Sequence, residues 1–380
     1  MGVTPDKTVL FLDSTPWCGG AQRSLLTLVT GLKESGYLPV VLAADRTPGG
    51  LLESCRVASI AQGAIRARHW RFTAGGVAAF LVDWWRFGLV FRRVCHACRP
   101  VIIHANGVRA ALLTAGRVPP SLPLVLHMRD VRMAELPRRM AAQRAHRIIA
   151  VSECVAGTLR PLTGDGKVYV IPNGFDLDTI RQATPVDTGF GDGDFCIAVM
   201  VADMVDWKRH DLFLDAVRSA QARIPELRAV VVGRALTRAG ARLLADLRQR
   251  AAALGGGDTI RFVTDVGDAL PWIAAADLLV STADREPFGR AVVEALALGK
   301  PVVAVRGGGP DGILGSTSAG TLVDATAEAV AEGIGRWRKR HDRDAIAAEA
   351  RQQAERFSKG RMVGQVAAVY EALLRSRTSA

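Results

Sequence analysis

Short apolar runs rich in β-branched residues alternate with longer stretches of helical periodicity along the chain, in two successive series. The first series comprises Thr8–Asp13, Pro39–Ala43, Val101–His104, Leu124–Met128, Arg147–Val151 and Val168–Ile171. Between them lie segments such as Ala21–Lys33, with Leu25, Leu28, Val29 and Leu32 on one face. A strand that is apolar throughout has no solvent face and needs cover on both sides. A helix after each strand supplies that cover, so the pattern is that of an α/β fold with a parallel sheet. Thr184–Asp194 (TPVDTGFGDGD) interrupts the alternation with Gly, Asp and Pro and reads as a linker. The second series is Cys196–Val201, Ala229–Val232, Ile260–Val263, Leu278–Ser281, Val302–Val305 and Thr321–Val323, with helical segments at His210–Arg223 and Ala241–Leu254. Ser358–Arg375 is an amphipathic helical stretch with no strand after it.

The expected architecture is two Rossmann-like, doubly wound parallel-sheet domains, residues 1–185 and 186–357, followed by a helix over 358–380. A chain of 380 residues is long enough for two such domains. Ligands of doubly wound sheets bind outside the carboxyl ends of the strands, so the chemistry is expected in a cleft faced by both sets of strand ends.

The formal net charge of +12, carried mainly by arginine, favours anionic partners such as nucleotide phosphates or anionic lipid. The basic residues are scattered and no nucleic-acid-binding motif is present, so no nucleic-acid partner is expected. The first apolar run, Val9–Leu12, is too short for a signal peptide, and no run reaches membrane-spanning length. The chain therefore reads as cytoplasmic, with its six cysteines as reduced thiols. Only Cys95 and Cys98 have a metal-like spacing, and no second pair completes a site. Arg68–Arg93 contains Trp70, Trp84, Trp85, Phe80, Phe87 and Phe91 among several arginines. It reads either as a helix buried against its own domain, the preferred reading, or as an amphipathic face resting on an anionic membrane.

Three segments carry candidate chemistry. The first strand runs into Gly19-Gly20 just ahead of a helix. This is either a loop that lets a phosphate or sugar oxygen approach the helix start or a flexible turn. After the first strand of the second series comes Asp203-Met204-Val205-Asp206-Trp207-Lys208-Arg209-His210, where Lys208 is either a point charge for a diphosphate or a solvated helix cap. The sharpest segment is Glu286-Pro287-Phe288-Gly289-Arg290-Ala291-Val292-Val293-Glu294, between a strand and a helix over Gly289–Leu298. The Phe288 and Gly289 amides fall at the helix start, where an anion is favoured. Glu294 lies on that helix, within reach of a ligand docked there, and carboxylates accept well from paired ribose hydroxyls.

These segments resemble the family 4 glycosyltransferases of the GT-B fold, and the resemblance spans essentially the whole chain. Gly19-Gly20-Ala21-Gln22 looks like the family's glycine loop. His104-Ala105-Asn106 and His127-Met128-Arg129-Asp130 look like its cleft-facing strand ends. Residues 148–160 and 167–176 look like the close of its first domain. EPFGRAVVE (286–294) matches its E-x7-E motif, RGGGPDGIL (306–314) the loop that follows, and 357–374 the helix that returns to the first domain. The resemblance implies a retaining transferase that uses a nucleotide-diphosphate sugar as co-substrate, with no cofactor and no metal. It implies Glu294 on the donor ribose, Glu286 on the transferred sugar, Lys208 on the leaving diphosphate, and the Phe288 and Gly289 amides on sugar or phosphate oxygens. His127 would lie beneath the donor sugar, and Gly19 and Gly20 would admit the donor phosphate or the acceptor.

At one point the chain departs from the family. The position five residues before the lysine, commonly an arginine, is Asp203. A carboxylate close to a diphosphate would repel it by about 1–4 kcal/mol, depending on the local dielectric. Arg209 or Arg306 is a candidate to supply the missing charge. Two rival readings stay open: a sugar-nucleotide-binding protein without transfer, and a GT-B enzyme with a nitrogen or other unusual acceptor. Asp-x-Asp spacings at Asp176/Asp178, Asp192/Asp194 and Asp342/Asp344 read as helix caps or linker residues rather than metal ligands. The acceptor is not legible.

Overall fold

The computed structural model describes residues 7–15, 18–43, 74–119, 121–191, 193–264, 266–338 and 342–378. Trp70, Cys55 and Asp192 lie outside the described residues.

Each apolar run of the first series is a strand: β1 (Thr8–Leu12), β2 (Leu38–Leu42), β3 (Ile102–Asn106), β4 (Leu124–Met128), β5 (Arg147–Ala150) and β6 (Val168–Val170). They form one sheet in the order β2-β1-β3-β4-β5-β6, parallel throughout. The second series gives β7 (Cys196–Val201), β8 (Leu227–Val232), β9 (Ile260–Val263), β10 (Leu278–Ser281), β11 (Val302–Val305) and β12 (Gly320–Val323). Their order is β12-β11-β10-β7-β8-β9, again all parallel. Strands β1, β3 and β4 are buried along their whole length, as sheets covered on both faces require.

In each sheet the chain lays strands to one side of its first strand and then crosses to the other side. The order therefore reverses between β1 and β3 in one sheet and between β7 and β10 in the other. At a reversal the two connections leave in opposite directions and open a crevice at the strand carboxyl ends, where such folds take ligands.

The chain divides into two compact units, Met1–Phe175 with Lys359–Ala380, and Asp176–Ser358. The division falls ahead of the expected break at 185/186. Residues after Phe175 already pack with the second unit: Leu177 and Ile180 of the short helix Leu177–Arg181 are buried, and Arg181 donates to Glu355. The stretch 184–191 is irregular, as expected, but it is tied into the second unit where the Val186 amide donates to the Pro271 carbonyl at 3.4 Å. Asp176 caps the helix Leu177–Arg181 through Thr179 N, and Asp342 is the N-cap residue of the helix Arg343–Ala354.

The helix Lys359–Thr378 belongs to the first unit. Met362, Val363, Val366, Val369, Tyr370 and Leu373 share one apolar core with Leu25, Leu28, Val29 and Leu32 of the helix Gly20–Glu34. Gly31 marks the closest approach of the two helices, since a Cβ there would meet Val363 Cγ2 at 2.4 Å.

The helix Ala74–Cys98 revises the preferred reading of the Trp-rich segment. Its Asp83, Phe87, Phe91 and Val94 are buried, but Val77, Leu81, Val82, Trp85 and Leu89 are all about half exposed or more. It is thus a core helix on one face and an apolar surface on the other. Trp84 is held by its indole N–H on the Ala115 carbonyl at 3.0 Å and by the Arg117 guanidinium stacked 3.7 Å from its ring. Among the described residues, no helix is long and apolar enough to cross a membrane.

Gly31→Val is expected to pry the helix Lys359–Thr378 from the first unit, at a cost of about 1–3 kcal/mol from overpacking. Urea unfolding should show this as a lower midpoint, and an unchanged midpoint would contradict the close approach.

Candidate active site

In the second unit the site is built at the β7/β10 reversal. The loop after β7 carries Lys208 and the loop after β10 carries Glu286, and three contacts tie the loops together. The Thr282 hydroxyl lies 3.1 Å from the Lys208 carbonyl and 2.8 Å from that of Arg209, and the Asp284 amide donates to the Trp207 carbonyl at 2.8 Å. With the backbones held this close, Lys208 Nζ donates to Glu286 Oε2 at 2.5 Å while lying 4.3 Å from the Trp207 ring centroid. The strain is local and paired: Arg209 and Arg285, one in each loop, sit in the left-handed region with φ 54° and 47°. That conformation costs an L-residue roughly 1–2 kcal/mol.

Gly289 follows with φ 101°, which favours glycine, and opens the helix Arg290–Ala297 with no side-chain cap and no acidic residue in its first turn. Phe288 is buried with its ring edge-on to Phe357. The following glycines explain how the loop is held. A Cβ on Gly308 would strike the Glu286 backbone at 2.6 Å and one on Gly309 the Phe288 backbone at 2.3 Å, and the Gly309 amide donates to the Glu286 carbonyl at 2.6 Å. Glu294 is 9% exposed and accepts from Arg290 at 3.0 Å, an i,i+4 pair on the same helix.

The charges around Asp203 sort differently from expectation. Asp203 accepts from the guanidinium of Arg234, just beyond β8, with Nε on Oδ1 at 3.2 Å and Nη2 on Oδ2 at 3.3 Å. The two proposed substitutes for the family's arginine are committed elsewhere: Arg209 to Asp211 at 3.1 Å and Arg306 to Asp324 at 3.0 Å. Sequence reading missed Arg234 because its partner lies in the loop beyond a neighbouring strand; its place one residue after Gly233, at a strand end, was the available signal.

In the first unit a polar network crosses the β1/β3 reversal. Asp13 is fully buried just beyond β1 and accepts from Thr15 N at 2.7 Å, from Gln22 Nε2 at 3.1 Å and from Asn106 Nδ2. Burial pushes its pKa up, against the lowering effect of these donors and of Arg129. Gln22 also accepts from the Gly19 amide at 3.2 Å, which anchors the glycine loop to the buried carboxylate, while Gly20 is exposed at the helix start. Arg129 spans the network, with Nε on Asn106 Oδ1 at 2.6 Å, Nη1 on Asn173 Oδ1 and Nη2 3.3 Å from His127 Nδ1. His127 Nδ1 is also 3.1 Å from His104 Nε2, and His104 Nδ1 is 2.6 Å from the Tyr370 hydroxyl. His127 is 1% exposed, and its Nε2 has no hydrogen-bonding partner among the described residues.

Lys208, Glu286, Phe288, Gly289 and Glu294 thus belong to one unit and Gly19, Gly20 and His127 to the other. Arg209 adjoins the first group in sequence, and its guanidinium pairs with Asp211. Among the described residues, no group of three or more His, Cys, Asp or Glu side chains could hold a metal ion. Burial pushes the Cys95 thiol up to about 12, away from thiolate chemistry.

Two family models match these two regions, one described as glycosyltransferase family 4 over residues 18–179 and one as glycosyl transferases group 1 over residues 189–354. The chain belongs to glycosyltransferase family 4. Its relatives include D-inositol 3-phosphate glycosyltransferase 2 of Catenulispora acidiphila, 33% identical over 47% of this chain and 44% of that protein. The lipopolysaccharide core biosynthesis mannosyltransferase LpsB of Rhizobium meliloti is 33% identical over 44% of this chain and 49% of its own length. The chain therefore spans about half the length of the relatives it matches in sequence. The fold is that of Anabaena HepE in complex with UDP and glucose, with a TM-score of 0.78 at 23% identity over 96% of this chain and 100% of that one. The fold is also shared with WaaG, a glycosyltransferase involved in lipopolysaccharide biosynthesis, with a TM-score of 0.65 at 17% identity over 95% and 99%. The GT-B fold expected for this family member is present.

The buried histidines have a consequence for stability. Burial, with Arg129 nearby, lowers the pKa of His104 from 6.5 to about 3 and holds that of His127 well below 6.5. Burial lowers that of His210 to about 4. The unfolded chain takes up protons below pH 6.5 that the native state refuses. The stability these rings contribute is therefore complete above 6.5 and lost as pH falls. By pH 5 the loss is about 1–2 kcal/mol per ring. Asp13, raised, works in the opposite sense, favouring the native state at low pH. Urea midpoints should fall between pH 7.5 and pH 5, and less steeply in His210→Asn; parallel profiles for the two proteins would contradict the assignment.

Proposed function

We propose that this chain moves a glycosyl residue from a nucleoside-diphosphate donor to a hydroxyl acceptor with retention of anomeric configuration. The observation that carries this reading is the Lys208–Glu286 contact of 2.5 Å at the β7/β10 reversal, beside the helix that bears Glu294. The glycosyltransferase names of the sequence relatives, and the UDP-glucose complex of Anabaena HepE, support the donor class.

In the proposed reaction the donor diphosphate takes Lys208 from Glu286. The ammonium then neutralises the leaving group, with the start of the helix Arg290–Ala297 adding the Phe288 and Gly289 amides. Glu286, released, accepts from a hydroxyl of the transferred sugar, and Glu294 accepts from the ribose hydroxyls. His127 offers its Nε2 to a sugar oxygen. The bond from the anomeric carbon to the phosphate oxygen breaks as the bond to the acceptor oxygen forms on the same face, and the acceptor's proton leaves with the diphosphate. The rate gain comes from preorganised charge and positioning. The scheme needs no metal and no cofactor, because Lys208 and the helix start supply the positive field. A binding-only reading drew its force from an uncompensated Asp203, and Arg234 compensates that charge.

The same reading covers the acceptor's surroundings. Val77, Leu81, Trp85 and Leu89 repeat at i,i+4 along the exposed face of the helix Ala74–Cys98, and Arg86, Arg92 and Arg93 are exposed toward its end. An apolar stripe with Trp and arginines suits the headgroup boundary of an anionic membrane, with the chain on its cytoplasmic face.

Two outcomes are expected. In thermal-shift assays with UDP, GDP, dTDP and ADP, one nucleotide should raise Tm, and Glu294→Ala should abolish the shift. A ligand at a hundred times its Kd stabilises by about 2.7 kcal/mol, enough to detect. Lys208→Ala should lower kcat by about a hundredfold or more with that donor class, and unchanged turnover would reject the role. Separately, the protein should float with phosphatidylglycerol vesicles at low salt and not with phosphatidylcholine alone, and Trp85→Ser with Leu89→Ser should release it. Failure of the wild type to float would remove the membrane from the reading.

A further inference from the structure

His127 Nδ1 faces two neighbours, His104 Nε2 at 3.1 Å and Arg129 Nη2 at 3.3 Å. His104 in turn meets Tyr370 of the helix Lys359–Thr378 through Nδ1 at 2.6 Å. Two rings and a hydroxyl in series admit two self-consistent arrangements of protons. In one, Tyr370 donates to His104 Nδ1 and His104 Nε2–H donates to His127 Nδ1, which leaves the proton of His127 on Nε2. In the other, every donor and acceptor is reversed and His127 Nε2 is a bare lone pair. The histidine and the tyrosine can each both donate and accept, so the relay by itself does not choose.

Arg129 chooses, because a guanidinium donates and does not accept. A proton on His127 Nδ1 would point at the Arg129 N–H. A lone pair there accepts from it. We propose that Arg129 is a positioning residue that locks the Tyr370–His104–His127 relay in one direction and fixes His127 as a neutral Nε2–H donor to a ligand oxygen. This rests on the reading of His127 as a donor-sugar contact given above. It goes further in excluding His127 as a general acid or base and in assigning Arg129 and the relay behind it.

The surroundings agree. The unsatisfied Nε2 of a ring that is 1% exposed is a donor held ready, since leaving it unpaired costs about 1–3 kcal/mol that a ligand acceptor would return. The charged and titratable groups facing the relay come from each element packed on it. His104 comes from β3 and Arg129 from just beyond β4. Tyr370, with Tyr37 against its ring, comes from the helix Lys359–Thr378, and Asp13 lies beyond β1, behind Asn106. Arg129 raises the cost of a second proton on either ring. Arg129 is itself held by Asn106 and Asn173, so its direction of approach is fixed.

The test is a long-range proton–nitrogen correlation spectrum of the intact, histidine-labelled chain without ligand, from pH 6 to pH 8.5, with His104→Gln and His127→Gln used for assignment. The expected result is His127 protonated at Nε2 and bare at Nδ1, His104 the same, and both unchanged across that range. Arg129→Met should move both rings together toward the Nδ1–H form, and Arg129→Lys, which also only donates, should restore the wild-type pattern. A wild-type His127 protonated at Nδ1, or gaining a second proton within that range, would overturn the proposal without any variant, as would an Arg129→Met spectrum identical to wild type. The spectrum needs no turnover, so a correct tautomer in a protein without transferase activity would reject the functional reading and leave this one standing.

Discussion

A parallel sheet leaves every strand in need of cover on both faces, and this one constraint orders the rest of the molecule. Helices must leave the carboxyl end of each strand and return to the amino end of the next, always in the same hand. To cover both faces the chain must reverse its direction of travel once across the sheet. That reversal lies between β1 and β3 in one unit and between β7 and β10 in the other. The candidate site side chains collect there for the same reason. Asp13 and Asn106 are the first groups past or at the ends of β1 and β3, and Lys208 and Thr282 lie in the loops that follow β7 and β10. The crevice is a product of winding, and the loops furnish it.

Charge management is the second layer. The ionic groups of the second unit's site are matched in pairs: Lys208 with Glu286, Arg290 with Glu294, Asp203 with Arg234, and Arg209 with Asp211. Half-buried pairs of this kind add little to stability, because desolvation offsets most of the attraction. Their effect is to hold long side chains in one place, and in the proposed reaction a charged ligand exchanges for a partner. Lys208 and Glu286 are joined across loops that are also tied by one backbone hydrogen bond and by the Thr282 hydroxyl on two backbone carbonyls, a frame independent of the Lys208 and Glu286 side chains.

The first unit solves a different problem. Its polar groups are buried deeply enough that charge is costly, so it relies on hydrogen bonds of fixed direction. Asp13 is surrounded by three donors, and Arg129 ties Asn106, Asn173 and His127 together. Tyr370 reaches this network from the last helix, which is also part of the unit's apolar core. One helix therefore serves both the packing and the orientation of a histidine far from it in sequence.

The sequence alone determined the fold class, the twelve strands and the EPFGRAVVE segment, because each is written locally. Strands show as continuous apolar runs, helices as faces of period 3.6, and the motif as a turn whose proline, glycine and glutamates lie within nine positions of one another. Tertiary structure alone decided the partners. Arg234 on Asp203 and Tyr370 on His104 join residues that are 31 and 266 positions apart, and no local pattern encodes such a meeting. It likewise decided where the first unit ends, through the burial of Leu177 and Ile180 in the second, and which face of the helix Ala74–Cys98 stays bare. Periodicity shows that a helix has an apolar face; what covers that face depends on which other elements the sheet brings beside it.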